Sequence, residues 1–94
     1  MPRWRYNARA MHRVTLYTKP DCPLCGKAKG LLGALRAEGI AFELEEVDVT
    51  RDPELYERYR FEVPVIAIDG VERFKGRVAR EALRAALLSP RTRA

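Results

Sequence analysis

Ninety-four residues make one small domain with a single core and are too few for two. The hydrophobic share of 47% is ordinary for a globular chain, and no apolar run approaches the roughly 18 to 20 residues of a membrane span, so no membrane partner is expected. The formal net charge of +5 suggests nucleic acid until it is located: Arg3, Arg5, Arg9, Arg91 and Arg93 sit at the two ends, and without them thirteen basic residues match thirteen acidic ones.

The chain therefore divides into a basic extension over residues 1–10, a neutral domain over 11–88 and a basic tail over 89–94. In the extension, Trp4 and Tyr6 interleave with arginines and could stack on bases, but a basic arm with no specific target is the simpler reading, and nucleic acid is not expected as a partner. The start carries charge without the apolar stretch of about 7 to 15 residues that a secretory signal needs. Met11, just before the first regular segment, could be a translation start, and the single histidine, His12, is assigned to the arm as a solvent-exposed residue. Only one Asn and no Gln occur among many charges, a depletion that suits a thermophile and equally a GC-rich genome.

Along the domain, Arg13–Thr18 alternates and is rich in β-formers, so it reads as a strand. Pro23 suits the first turn of a helix, where its missing N–H is no loss; Ala28, Leu31, Leu32 and Leu35 continue it at helical spacing, and Gly39 stops it. Gly30 and Gly33 either weaken that helix or mark close packing. Ile40–Val49 is a second strand whose alternation slips at Glu45 and Glu46. Asp52 as N-cap, Pro53 at the first position and Glu54 in the first turn open a short helix that closes around Tyr59. Val63–Ile68 is an apolar strand, Asp69-Gly70 a two-residue hairpin signal, and Val71–Phe74 the returning strand. Ala79, Ala82, Leu83, Ala86 and Leu87 give the closing helix. The order βαβαββα predicts an α/β fold, a four-stranded mixed sheet with helices on both faces, its first two strands parallel and its last two a hairpin.

Both cysteines lie in Thr18–Lys29, "TKPDCPLCGKAK". With no leader, the protein is expected in the cytoplasm, where a CxxC pair is more often catalytic or metal-binding than a structural disulfide. Cys22 falls at the mouth between strand and helix, and Cys25 one turn inside. The unpaired N–H groups and positive end of the helix favour a thiolate there, and CxxC cysteines so placed have pKa values lowered from about 8.5 to roughly 3.5–7.5. Lys19 and, farther off, Lys27 add positive charge, while Asp21 opposes them if its carboxylate faces the sulfur. Cys22 would attack a substrate disulfide, and Cys25 would resolve the mixed disulfide. Pro23 and Leu24, between the cysteines, would tune the couple.

The stretches "LYTKPDCPLC", "EEVDV", "VPVIAIDG" and "FKG" resemble the thioredoxin-fold superfamily, and most closely its small glutaredoxin-like proteins, over about residues 13 to 88. The resemblance implies that Pro64 is cis and faces the cysteine pair, and that Val63 offers backbone hydrogen bonds to substrate. Lys19 matches the family's basic residue ahead of the cysteines. Leu24 stands where glutathione-using members carry an aromatic residue, and Lys75-Gly76-Arg77-Val78-Ala79 keeps one glycine and no acid where they carry Gly-Gly and an acidic pair. The expected electron donor is thus glutathione as a co-substrate or a thioredoxin reductase-like enzyme, and the expected substrate a protein or small-molecule disulfide. No tightly bound cofactor and no metal ligand set are expected. Two rivals remain at this point. The cysteines could hold zinc or an iron–sulfur cluster between two chains, since two thiolates and His12 do not complete a four-ligand site in one. Or the fold could be a non-catalytic interaction module.

Overall fold

The computed structural model describes residues 11–90, so the basic extension over 1–10 and the last four residues of the tail lie outside the described residues. Strand β1 (His12–Thr18) buries Val14 and Leu16 on one face. Helix α1 (Pro23–Ala37) starts where the sequence places Pro23, buries Ala28, Leu32 and Leu35, and stops at Gly39, whose φ of 99° is open to glycine at little cost. A Cβ built on Gly30 or Gly33 would meet nothing within 4 Å, so neither glycine marks close packing.

Strand β2 (Phe42–Asp48) is two residues shorter at its start than the alternation suggested and one shorter at its end. Ile40 is taken by the end of α1, its N–H bonding the Leu35 carbonyl, and Val49 opens a 3₁₀ turn (Val49–Arg51) capped by the Asp48 side chain. Helix α2 (Pro53–Tyr59) begins as predicted: Asp52 accepts from the Glu54 and Leu55 N–H groups. Strand β3 (Val65–Ile68) is buried throughout and starts after Pro64, which has no N–H for the ladder. Asp69 and Gly70 both have positive φ, 53° and 85°, the backbone that lets a two-residue loop follow the strand twist into β4 (Val71–Lys75). One residue of β4, Arg73, has no partner across the hairpin because the register slips between Ile66 and Ala67. Helix α3 (Arg80–Leu88) closes the chain, burying Leu83, Ala86 and Leu87.

The sheet order is β2-β1-β3-β4, with β1 parallel to β2 and antiparallel to β3. Strand alternation divides the core. Val14, Leu16, Ile66 and Ile68 meet α1 and α3 on one face. Tyr17 and Val65 turn the other way and meet Val49, Leu55 and Tyr59, from the 3₁₀ turn and α2. This is the expected thioredoxin-like α/β architecture with helices on both faces.

His12 departs from expectation. It is 6% exposed, with Nδ1 2.6 Å from Asp69 Oδ2 and Nε2 2.7 Å from the Ser89 carbonyl. Asp69 Oδ1 also accepts from the Arg13 N–H at 2.9 Å. Neighbouring charges made His12 look like part of a solvated arm; pairing of β1 with β3 places it under the hairpin turn and the end of α3 instead.

Candidate functional site

Cys22 and Cys25 are joined as a disulfide, with their Cα atoms 5.2 Å apart. The local sequence explains the placement. Asp21 takes a positive φ of 57°, a region Asp visits more readily than most residues, and turns the chain out of β1. Cys22 is then the N-cap of α1 in extended conformation, and Pro23 follows at the first helical position. The Cys25 N–H donates to Cys22 Sγ at 3.1 Å, so sulfur does the work usually left to a Ser or Asp oxygen. Cys25 is 4% exposed and Cys22 half-buried, which leaves Cys22 the more exposed residue of the pair.

Cys25 packs with Val49, Tyr59, Val63 and Val65, and Cys22 and Tyr17 lie against the same cluster. The structure therefore brings three of the predicted site residues, Cys22, Cys25 and Val63, into one packed group. The Val63–Pro64 peptide is cis, as the family resemblance implied, and Pro64 is fully buried. Its carbonyl accepts from the Gly76 N–H at 2.8 Å. Gly76 has φ of 69°, so the one glycine retained before α3 is the one whose backbone requires it. That strap between the proline loop and the start of α3 was not read from the sequence, although a lone glycine after β4 was its signal.

Lys19 is held rather than free: its ammonium donates to the Arg60 carbonyl at 2.8 Å, tying the cysteine loop to the segment that leads into Val63. Pro23 is exposed at the rim, and Leu24 points out of the cysteine cluster to line a groove along α1. By residue type Tyr17, Tyr56, Tyr59 and Phe61 suit core or edge packing; Tyr59 is buried and Tyr17 half-buried, their ring centroids 4.7 Å apart. Tyr56 and Phe61 depart from that reading, at 36% and 85% exposed, and the Arg60 guanidinium lies 4.6 Å above the Phe61 ring. Phe61 follows α2 on a turn, beyond reach of either core face. Glu45 and Glu46, which suit a solvated strand end better than an acid/base pair, are both exposed, and Glu46 pairs with Lys29 at 3.1 Å.

A polar tie braces this side of the sheet. The Tyr59 hydroxyl donates to Glu72, and Lys75 reaches both Glu62 and Glu72, at 3.1 and 3.7 Å. Burial first, and then Glu72, push the Tyr59 phenol up to about 12, while the Tyr59 hydrogen bond holds the Glu72 carboxyl below its usual range. For a metal, the reduced pair would offer two thiolates; joined as they are here, the sulfurs are not thiolate ligands. His12 lies at the opposite end of β1 with both ring nitrogens engaged.

Known proteins agree with this geometry. The family model described as Glutaredoxin-like domain matches residues 13–88. A protein named "Probable Thioredoxin" from Methanothermobacter thermautotrophicus is 36% identical over 72 residues, covering 74% of this chain and 85% of the relative. Among solved structures, a structural-genomics target protein from X. campestris superposes with a TM-score of 0.67 at 30% identity, covering 79% of this chain and 93% of its own. The desulfothioredoxin of Desulfovibrio vulgaris Hildenborough, in its reduced form, gives a TM-score of 0.59 at 26% identity, covering 80% of this chain and 77% of its own. With a CxxC disulfide at the head of α1, a thioredoxin-like sheet and the match over 13–88, the chain belongs to the glutaredoxin-like family and is a thiol–disulfide redox protein of the thioredoxin fold.

Proposed function

We propose that the protein reduces disulfides through a dithiol cycle, with Cys22 as nucleophile and Cys25 as resolving thiol. The observation that carries this reading is the capping of Cys22 Sγ by the Cys25 N–H at the positive end of α1. A donor and dipole end so aimed would also stabilise negative charge on that sulfur once the disulfide is opened. In the reduced state the Cys22 thiolate attacks one sulfur of the substrate; a Cys22–substrate bond forms and the other substrate sulfur leaves as a thiolate, later protonated. Cys25, deprotonated in turn, attacks Cys22, forms the Cys22–Cys25 bond and expels the second substrate thiolate. Two electrons pass to the substrate, and an external dithiol or two molecules of glutathione return them.

Val63 and Pro64 would frame the substrate, with Pro23 and Leu24 on the rim; Lys19 acts by bracing the loop rather than by touching the substrate. The donor is read as a thioredoxin reductase-like enzyme ahead of glutathione, because the stretch from Lys75 to Ala79 carries no acid to hold a γ-glutamyl ammonium. A reducing, cytoplasmic setting suits a pair that must be re-reduced in each cycle; no described helix is long and apolar enough to cross a membrane.

A disulfide-reduction assay with glutathione or thioredoxin reductase as electron source tests the reading on wild type, Cys22→Ser and Cys25→Ser. Activity should vanish in Cys22→Ser and should be higher with the reductase. If Cys22→Ser matches wild type, the mechanism is wrong; if neither source supports turnover, the fold serves as a non-catalytic module.

A further inference from the structure

The stretch from Tyr59 to Pro64 is fastened from several sides. Its turn is closed by the Tyr59 carbonyl, which accepts from the Glu62 N–H at 2.8 Å and the Val63 N–H at 3.0 Å. Lys19 holds the Arg60 carbonyl at 2.8 Å, and the Gly76 N–H holds the Pro64 carbonyl at 2.8 Å. From β4, Glu72 takes the Tyr59 hydroxyl and Lys75 takes the Glu62 carboxylate at 3.1 Å. The backbone polar groups of such a loop can be followed one by one. Pro64 has no N–H, and the N–H of Val63 is spent inside the turn. The Val63 carbonyl accepts no hydrogen bond among the described residues, although Val63 is only 8% exposed and packs with Cys25. At Val63 and Pro64 the loop therefore offers a substrate an acceptor and no donor.

Lys75 joins the two side-chain ties. Its ammonium lies 3.1 Å from Glu62 and 3.7 Å from Glu72, the residue that takes the Tyr59 hydroxyl. Glu62, chiefly through its hydrogen bond, holds the Lys75 ammonium above its usual range. Both ends of the turn are thus held through one side chain of β4: Tyr59, whose carbonyl closes it, and Glu62, which directly precedes Val63. The Lys75 and Glu62 side chains are 50% and 45% exposed. A pair so exposed adds little to global stability, and its effect falls on where the loop sits.

We propose that Lys75 is a positioning residue for disulfide reduction: by gripping Glu62 and Glu72, it sets the turn so that the Val63 carbonyl accepts an N–H from the cysteine of the substrate disulfide. The inference rests on the oxidoreductase reading and names what the site asks of its substrate, a backbone N–H on the residue that carries the attacked sulfur. Val63 and Cys22 belong to one packed cluster, so a substrate sulfur joined to Cys22 brings its own backbone to this carbonyl. Lys75 touches no reacting atom and passes no proton or electron. It acts through Glu62 on the backbone one residue further on.

The test uses the full chain, reduced beforehand, and follows its oxidation by excess disulfide; the Cys22–Cys25 bond forms as each substrate disulfide is split into two thiols. Two oxidants are compared: the disulfide of N-acetylcysteine dimethylamide, whose single N–H per half is that of cysteine, and its counterpart with an ester oxygen in place of that N–H. Each rate is divided by that of the same disulfide with free dithiothreitol, which removes intrinsic reactivity. Wild type should react about fivefold faster with the amide than with the ester, the worth of one hydrogen bond. Lys75→Met should lower that ratio about threefold by slowing the amide alone. Lys75→Arg, which keeps the charge, should restore it. Glu62→Gln should match Lys75→Met, with nothing added when the two are combined. Lys29→Met removes an exposed pair of equal length, Lys29 with Glu46 at 3.1 Å, and should leave the ratio as in wild type. No preference for the amide in wild type would overturn the proposal. So would a Lys75→Met variant that keeps the wild-type ratio or slows both disulfides alike, a loss that Lys75→Arg does not restore, or additive losses in the double variant. If neither disulfide oxidises the reduced wild type, the oxidoreductase reading falls and takes this inference with it.

Discussion

The two ends of β1 are finished in opposite ways. At its start, His12 is buried and bridges the hairpin turn and the end of α3 through both ring nitrogens. At its finish, the chain leaves the sheet through Lys19 and a left-handed Asp21, and sets Cys22 half-exposed on the first turn of α1. One end consumes its polar groups in holding elements together; the other braces its loop with backbone bonds and keeps one sulfur available. Open α/β sheets place ligands beyond the carboxyl ends of their strands for this reason, since the loops there are held by a rigid sheet yet not committed to it. The same contrast separates Cys25, packed among Val49, Tyr59, Val63 and Val65, from Cys22 at the surface. A nucleophile needs access, whereas a resolving thiol needs only its neighbour.

The sharpest way to break the contrast is at the open end. Cys25→Ser should cut disulfide turnover by the dithiol route roughly 100-fold or more and trap Cys22 in a one-to-one mixed disulfide with the substrate, visible by mass spectrometry. Turnover equal to wild type would remove the resolving role. At the closed end the effect should be on stability alone. His12→Ala loses a buried side chain and two hydrogen bonds and should cost about 2 kcal/mol in a denaturant titration. Its rate with a small disulfide should stay within about twofold of wild type, since His12 lies a full strand away from Cys22; a large loss of rate would show that the two ends are coupled.

Tyr59 lies between these extremes. Tyr59→Phe keeps the ring against Tyr17 but loses the bond to Glu72, and should lower stability by about 1 kcal/mol at neutral pH. The Tyr59 phenol is raised from 10.0 to about 12 in the fold, so its contribution is whole below pH 10 and is lost as pH rises toward 12. Tyr59→Phe should therefore lose less stability than wild type over that alkaline span, read by thermal melts at fixed pH. The smallest effect is expected at acid pH. Glu38 is held below 4.5 chiefly by the Arg80 hydrogen bond, Glu72 below 4.5 chiefly by Tyr59, and Asp48 below 3.8 chiefly by the Thr50 side chain. Each favours the folded state above its ordinary value and loses that favour as pH falls through its lowered one. These carboxylates are exposed, so added salt should flatten the Glu38 part of the acid loss, where full charges meet, more than the Asp48 part.

Much of the fold was legible because its signals are local. Pro23 and Pro53 mark helix starts, Asp52 caps, Gly39 stops, and Asp69-Gly70 turns, each through φ, ψ or a hydrogen bond within a few residues. The candidate site was legible for the same reason: a CxxC between a strand and a Pro-initiated helix puts its first sulfur at an N-cap whatever surrounds it. His12, Tyr56 and Phe61 sit differently from what their residue types suggest because their settings are not local. Nothing near His12 in sequence announces Asp69 or Ser89, which are 57 and 77 residues away. Phe61 is apolar by type, but two faces of one sheet have room for only some of the aromatics that follow α2.

Secondary structure and the placement of Cys22 and Cys25 at the head of α1 follow from residue types and their spacing, because capping, periodicity and turn chemistry act over a few residues; the glutaredoxin-like character came from the resemblance of whole stretches to a known family. The strap from Gly76 to Pro64 and the lock at His12 were decided by tertiary structure alone. They join residues that share no local pattern, and only the packing of α1 and α3 on one sheet face brings those residues into contact.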